Sequence, residues 1–231
     1  MKAKPFFLVI LVAMAAFLMS ECRSGNKPGG PDPGAAPGAE TNQTTEAETD
    51  ESLSGGKGKP LGVKSGIIEY AYSGDKTGKS TQYFDDYGMK SAVYAEITAR
   101  GETSRGWSLT IGEDQYMWDI NSSQGMKAKN PMAKMLMDTS GGDIMTIMAD
   151  MYGQMGMHQS GTEMFQGKEC AVFKGDIGKV LIWKGLMMMM EMKMGDIVSR
   201  QEVTSIKTNL HVDGKYFRVP DNINFNEIPG F

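Results

Sequence analysis

The sequence predicts an α+β domain: a curved antiparallel sheet, or unclosed β-barrel, of about ten strands, with two or three short helices covering its concave face. Three observations point there. Short segments of alternating apolar and polar residues recur from residue 66 to the C-terminus. One stretch in the middle changes to helical spacing. The part that folds holds a single cysteine, Cys170, so it has to stand on packing and not on an internal disulfide.

The first 60 residues lie outside that domain. Lys2 and Lys4 precede an apolar run from Phe6 to Met19, shorter than the roughly 20 residues a membrane-spanning helix requires, so residues 1–21 read as an export signal. Residues 22–60 run through "KPGGPDPGAAPG", an acidic "ETNQTTEAETDES" and "GGKGKP", and contain too little apolar surface to offset the entropy of ordering them. A flexible chain of that length reaches about 35 Å, enough to hold a domain clear of a surface. Residues 61–231 form the domain.

Within it, Ile68, Tyr70 and Tyr72 share one face of a first strand. Trp107, Leu109 and Ile111 share one face of another, and Tyr116, Trp118 and Ile120 one face of a third, with "GED" at 112–114 as a tight connection. Further strands are expected near 80–87, 90–100, 160–166, 168–174, 179–183, 186–194 and 196–208, the spacing of an antiparallel meander. After Pro131, "MAKMLMDT" reads as a helix and "SGG" at 140–142 as its stop. Asp143 then N-caps a second helix, whose Ile144, Ile147, Met148, Met151 and Met155 recur at helical spacing.

Composition excludes several classes of function. Without residues 1–21 the chain loses Lys2, Lys4 and Glu21, which leaves 22 basic against 27 acidic residues; a net charge of −5 argues against nucleic acid as a partner. "SGDKTGKS" at 73–80 has Ser73 where a phosphate-binding loop requires glycine and is followed by strand alternation instead of a helix, so it reads as a hairpin turn. His158 and His211 have no nucleophile motif beside them, and Cys170 sits in an apparent strand, "KECAVFKG", with no neighbouring base. No enzyme, cofactor or dedicated metal site is expected.

The densest signal is "GLMMMMEMKMG" at 185–195. Its even positions, Leu186, Met188, Met190, Met192 and Met194, are all apolar, and a period of two fits a strand. Burying four methionines is worth about 6–12 kcal/mol, so that face needs a cover. Met145, Met148 and Met151 of the second helix would supply one, and methionine against methionine repacks around varied apolar shapes. On this pattern Trp107, Trp118, Met188, Met190 and Met192 line the sheet side of an apolar ligand site, with Met145, Met148 and Met151 as a movable cover. A solid interior serving a structural or interaction module is the competing reading. Copper(I) is a minor one: neighbours on one strand face are about 6.6 Å apart and cannot converge three thioethers on one ion, which leaves the loop with Met155, Met157 and His158.

Two resemblances bear on this. Leu18-Met19-Ser20-Glu21-Cys22 resembles the lipobox of bacterial lipoproteins, although Glu21 replaces the small residue usual before the cut; it implies lipidation at Cys22 and anchoring to a membrane of the cell envelope, the outer one in a Gram-negative cell. "SGIIEYAYSG", "QYFDDYGMKSAVYAE", "GWSLTIGEDQYMWD", "GKECAVFKGDIGKVLIWKGL", "SRQEVTSIK" and "KYFRVPDNINFNEIPGF" together resemble a family of uncharacterised Gram-negative lipoproteins. That family is similar in turn to the LolA/LolB lipoprotein carriers, which implies an unclosed barrel plugged by helices, an apolar cavity for acyl chains, and a short helix and final strand near "VDGKYFRVP" at 212–220. The carriers' helix before the first strand has no clear counterpart here.

Overall fold

The computed structural model describes residues 59–130 and 144–228. The strands are β1 (Gly66–Gly74), β2 (Lys76–Asp85), β3 (Lys90–Ala99), β4 (Glu102–Ile111), β5 (Asp114–Asp119), β6 (Gln124–Lys129), β7 (His158–Phe165), β8 (Lys168–Gly175), β9 (Gly178–Trp183), β10 (Leu186–Met194), β11 (Ile197–Thr208) and β12 (Asn224–Glu227). One α-helix among the described residues, α1 (Ile144–Gln154), precedes β7. The helix expected after Pro131, and the Asp143 cap, lie outside the described residues, as do the signal, Cys22 and the tether as far as residue 58.

All twelve strands form one unclosed sheet in the order β12-β6-β5-β4-β3-β2-β1-β11-β10-β9-β8-β7. The chain walks outward from β1 to β6, re-enters at the far edge with β7, and walks back until β11 pairs antiparallel with β1. Two meanders are thereby joined through their first and last strands. The sheet is antiparallel throughout except at its end, where β12 pairs parallel with β6. Twelve strands exceed the expected ten because β6 and β12 fall outside the segments that alternation predicts; "SGDKTGKS", expected as a turn, is mostly strand, β1 and β2 being separated by Asp75 alone. The tight connection at Gly112–Glu113 joins β4 to β5 as its composition requires.

Residues paired directly across strands project from the same face, so the register divides the sheet into an inner face, which carries α1, and an outer one. Met190 is opposite Gln201, Gln201 opposite Tyr72, Tyr72 opposite Gly78, Gly78 opposite Ile97, and Ile97 opposite Ser104; all of these are inner. Alternation then makes Ser104, Gly106, Ser108 and Thr110 the inner residues of β4, and Trp107 and Leu109 outer ones.

Three segments cover these faces. Residues 59–65 cross one end of the inner side: Leu61 N donates to Tyr87 O (2.9 Å) and Gly62 N to Lys184 O (2.8 Å), tying the β2–β3 turn to the β9–β10 hairpin. Leu61 and Val63 are buried with Ile68, Tyr70, Phe84, Leu186 and Met188. The helix α1 packs on the inner face of β8–β10, burying Tyr152 with Met157, Ala171, Phe173, Val180, Ile182 and Met192. After β11 the chain crosses the outer face, where a 3-10 turn at Gly214–Phe217 packs on β3 and β4 and Leu109 and Ala92 are sealed from solvent.

Candidate functional site

The helix is fixed at both ends. Ile144 Cγ2 lies 3.4 Å from where a Cβ on Gly185 would stand, and Gly156 O abuts the backbone of Gly175, so α1 runs from the β9–β10 hairpin to the β8–β9 turn. With 3.6 residues per turn, Met148, Met151 and Met155 fall within an arc of about 60° at the middle of the inward stripe, and Ile147 and Tyr152 flank it. The flanks are closed and the middle is not. Ile147 is 8% and Tyr152 7% exposed, whereas Met148, Met151 and Met155 are only half-buried. The stripe starts buried at Ile144 and opens from Met148 onward.

Opposite it, β10 carries Met188, Met190 and Met192 on the inner face, as the alternation requires. A bulge between Met187 and Met189 alters the pattern at the start of the strand: Met187 faces Ile182, also an inner residue. Met188 and Met192 are buried, Met187 and Met190 half-buried. Met145, Met148, Met151, Met155, Met187 and Met190 pack around one buried cluster. The displaced carbonyl of Met187 is used: Tyr70 Oη, reaching across from β1, lies 3.2 Å from it and 3.3 Å from Gln82 Oε1. Burial, with Tyr72 close by, holds the Tyr70 hydroxyl well above the usual tyrosine range.

Beyond Tyr70 the inner face changes character. Strands β2–β4 present the small residues Ser80, Ser91, Ala95, Ser104, Gly106, Ser108 and Thr110 among the larger Gln82, Phe84, Val93 and Ile97, and Ser80, Ser104, Ser108 and Thr110 are buried. Three of their hydroxyls are satisfied within the sheet: Tyr72 Oη is 3.1 Å from Ser80 Oγ, Gln82 Nε2 donates to Ser91 Oγ (3.2 Å) and Gln115 Nε2 to Ser108 Oγ (3.3 Å).

Trp107 and Trp118 are not part of this surface. They pair directly with each other on the outer face, rings stacked at 6.3 Å, in register with Tyr94. Their neighbours are the chain's own C-terminal segment: Tyr216 stacks on Tyr83 at 3.8 Å and lies 6.3 Å from Trp107, and Phe225 of β12 meets Trp118 edge-on at 5.9 Å. The aromatic row is a clamp for the crossing segment. Residue spacing cannot reveal which of a strand's two faces lies beneath α1, and on β4 the inner face is the serine face, not the apolar one the alternation suggests.

The loop expected for copper is not gathered either. Met157 is fully buried and His158 is exposed at the start of β7, so the two point apart. Among the described residues, no three His, Cys, Asp or Glu side chains cluster as a metal site would require. Cys170 is buried, and burial pushes its thiol up to about 11, which makes it a poor nucleophile at neutral pH. The β7–β8 hairpin lies where alternation places it, but sequence reasoning missed the reach of its tip, which outruns its pairing with β9 so that Gln166 Nε2 donates to Val203 O on β11. Gln166 and Gly167 both adopt positive φ, as a two-residue hairpin turn requires.

No protein-family model matches this chain, and no curated relative does. Among solved structures it is similar to an uncharacterized conserved protein from Thermus thermophilus, at 8% identity over 72% of this chain and 91% of that one, with a TM-score of 0.48. It is also similar to MucB in the MucA/MucB complex of Pseudomonas aeruginosa, at 10% identity, 68% of this chain and 56% of that one, TM-score 0.36. PNGF-II matches at 13% identity over 71% of this chain and 31% of that one, TM-score 0.37. The chain thus spans about half of MucB and a third of PNGF-II. At these values nothing about its activity or partners follows.

Proposed function

We propose that the protein is a lipid-anchored component of the cell envelope whose domain holds an apolar ligand, a lipid or a lipidated protein, non-covalently between α1 and the inner face of the sheet. The opening of the helix's inward stripe supports this reading. A core helix buries the middle of its apolar face most deeply; here the flanks are sealed and the middle, made of thioethers that adapt to varied shapes, is half-open. Anchoring rests on Cys22 and the tether of residues 22–60. The negative net charge disfavours nucleic acid as a partner, and no reaction is assigned to the site.

Native mass spectrometry of the full chain, purified without detergent, tests the proposal together with displacement of a fluorescent fatty acid. A co-purifying apolar species and saturable displacement are expected. No bound species and no fatty-acid binding would leave a second reading, a structural or interaction module. What favours that one is β7, an edge strand exposed along nearly its whole length, with Met164 65% exposed, where another chain's strand can add.

A further inference from the structure

We propose that the ligand is an amphiphile with an anionic head, a carboxylate or a phosphate, and that Lys76 at the start of β2 holds that head at one end of the inner face. This rests on the apolar ligand site between α1 and the sheet and names the chemistry of what enters it. The register fixes where Lys76 stands. Met192 is opposite Ser199, Ser199 opposite Gly74, Lys76 opposite Ala99 and Ala99 opposite Glu102, and Gly74 and Lys76 flank Asp75 at the β1–β2 turn. Two residues before Gly78, Lys76 is an inner residue, in the row of Met192 and three strands from it, about 14 Å along the sheet.

The charge of this lysine is left uncompensated. Of the half-buried lysines among the described residues, Lys127 pairs with Asp114 and Glu227, Lys179 with Glu163, and Lys168 and Lys184 lie over the Trp183 ring. Lys76 alone has neither a carboxylate nor a ring beside it, and burial holds its amine below the usual lysine range. Asp75 is turned to β11, where its carboxylate accepts from Val198 N (2.6 Å). Glu102, the carboxylate of the row, is two strands away and exposed. Gly74 and Ala99 are too small to hide an upright side chain, so the methylene stem of Lys76 lies along the face. A half-desolvated ammonium of this kind is costly until a counter-charge arrives.

An apolar lip stands at the same end of the sheet. The inner series Met190, Met192 continues to Met194, whose cross-strand partner is Ile197, and these two are 51% and 45% exposed. The helix finishes here as well: Gly156 O abuts Gly175, and Lys193 N donates to Ile177 O (2.8 Å), which sets the β8–β9 turn beside the β10–β11 hairpin. Methionines buried or half-buried beneath α1 thus run out into water at the end where Lys76 stands, a path for a tail with a cation for its head. A neutral ligand would leave the ammonium uncompensated and a cationic one would add a like charge, whereas a carboxylate or phosphate accepts from it.

The test uses three ligands with one tail and different heads. Hexadecanoate, hexadecyl phosphate and hexadecanol each displace the neutral dye Nile red from the purified full chain at about pH 8, where carboxylates are ionised. Both anions are expected to bind about 5- to 30-fold more tightly than the alcohol, the range of one charge-assisted hydrogen bond at a half-exposed site. The anion that binds more tightly identifies the head. Lys76→Met keeps the stem and loses the charge, so it should abolish the preference while hexadecanol binds within about two-fold of wild type. Lys79→Met, exposed on the opposite face, should change neither. Lys76→Glu should invert the order, so that hexadecylamine displaces the dye better than hexadecanoate. Equal binding of acid, phosphate and alcohol by the wild-type chain overturns the role of Lys76 and leaves lipid binding standing, with no variant involved. A preference that survives Lys76→Met, or that Lys79→Met removes equally, overturns it too. If none of the three ligands binds, the apolar site itself falls, and the assignment of Lys76 with it.

Discussion

Two halves of one inner face differ in everything but their backbone. Strands β8–β11 present Phe173, Val180, Ile182, Met188, Met192 and Val203, nearly all sealed beneath α1 or beside Leu61 and Val63. Strands β2–β4 continue the same hydrogen-bonded surface with Ser80, Ser91, Ala95, Ser104, Gly106, Ser108 and Thr110. The pairing that fixes strand spacing is the same in both, so the shape of the interior is decided by side-chain volume. One half is lined by large apolar residues; the other mixes small polar ones, whose hydroxyls meet Tyr72, Gln82 and Gln115, with Phe84, Val93 and Ile97. Tyr70 and Phe84 pack in one buried cluster and the methionines of α1 against another, with Met187 touching both.

The largest effect is expected where the halves join. Phe84 is fully buried on β2, packed with Leu61, Val63 and Ile68, and its ring lies 2.6 Å from where a Cβ on Gly66 would stand. Phe84→Ala should cost about 3–5 kcal/mol in urea unfolding, since removing a buried ring leaves a cavity the rigid sheet cannot close. A loss below about 1 kcal/mol would show that the border is already open. Gly66→Ala should destabilise for the opposite reason, a methyl driven into that ring.

Next comes the link from the small half to the large one. The Tyr70 hydroxyl has one proton to share between Met187 O and Gln82 Oε1, and its loss leaves the bulge carbonyl buried beside apolar neighbours. Tyr70→Phe should therefore cost about 1–3 kcal/mol, seen as a lower urea midpoint at unchanged slope. An unchanged midpoint would mean that water already reaches Met187, placing the opening one strand closer to β1.

The filled half also carries buried groups that resist ionising. Burial pushes the Cys170 thiol from 9.0 up to about 11 and the Tyr152 hydroxyl from 10.0 up to about 12. Above pH 9 the unfolded thiol releases its proton while the folded one keeps it. The stability this group contributes is complete below pH 9 and is lost as pH rises through 11, on the order of 1–3 kcal/mol. Tyr152 repeats the pattern about one unit later. Chemical denaturation across about pH 8–11 should show the decline, and Cys170→Ala should flatten its first part. A decline identical in the variant would mean that the thiol is as solvated folded as unfolded.

The strands were legible because alternation is local. Ile68 and Tyr70, Leu109, and the even methionines of β10 each sit on one face as their spacing requires, and α1 begins at Ile144 in the expected helical phase. What spacing could not supply is the relation between strands far apart in sequence. Nothing in "GWSLTIGED" tells whether Trp107 or Ser108 looks toward α1; that depends on the pairing of β1 with β11 and on the C-terminal segment lying over the other face, both non-local. The bulge at Met187 is equally hidden, since a run of four methionines reads the same with or without it.

The smallest effect tests the comparison most directly. Ser108 stands buried on the inner face of β4 between Val93 and Met117, and Ser108→Leu adds apolar volume there. In a packed interior the extra methyls must displace neighbours, at about 1–3 kcal/mol. In an open one they find room, and the loss of one weak hydrogen bond from Gln115 is offset by newly buried apolar surface, leaving stability within about 0.5 kcal/mol of wild type. Fatty-acid displacement should then weaken, because the side chain occupies space the ligand requires. Stability that holds while binding falls separates a surface built to be filled from one that is already full; stability that drops with binding untouched would assign the serines to packing and move the ligand beneath α1 alone.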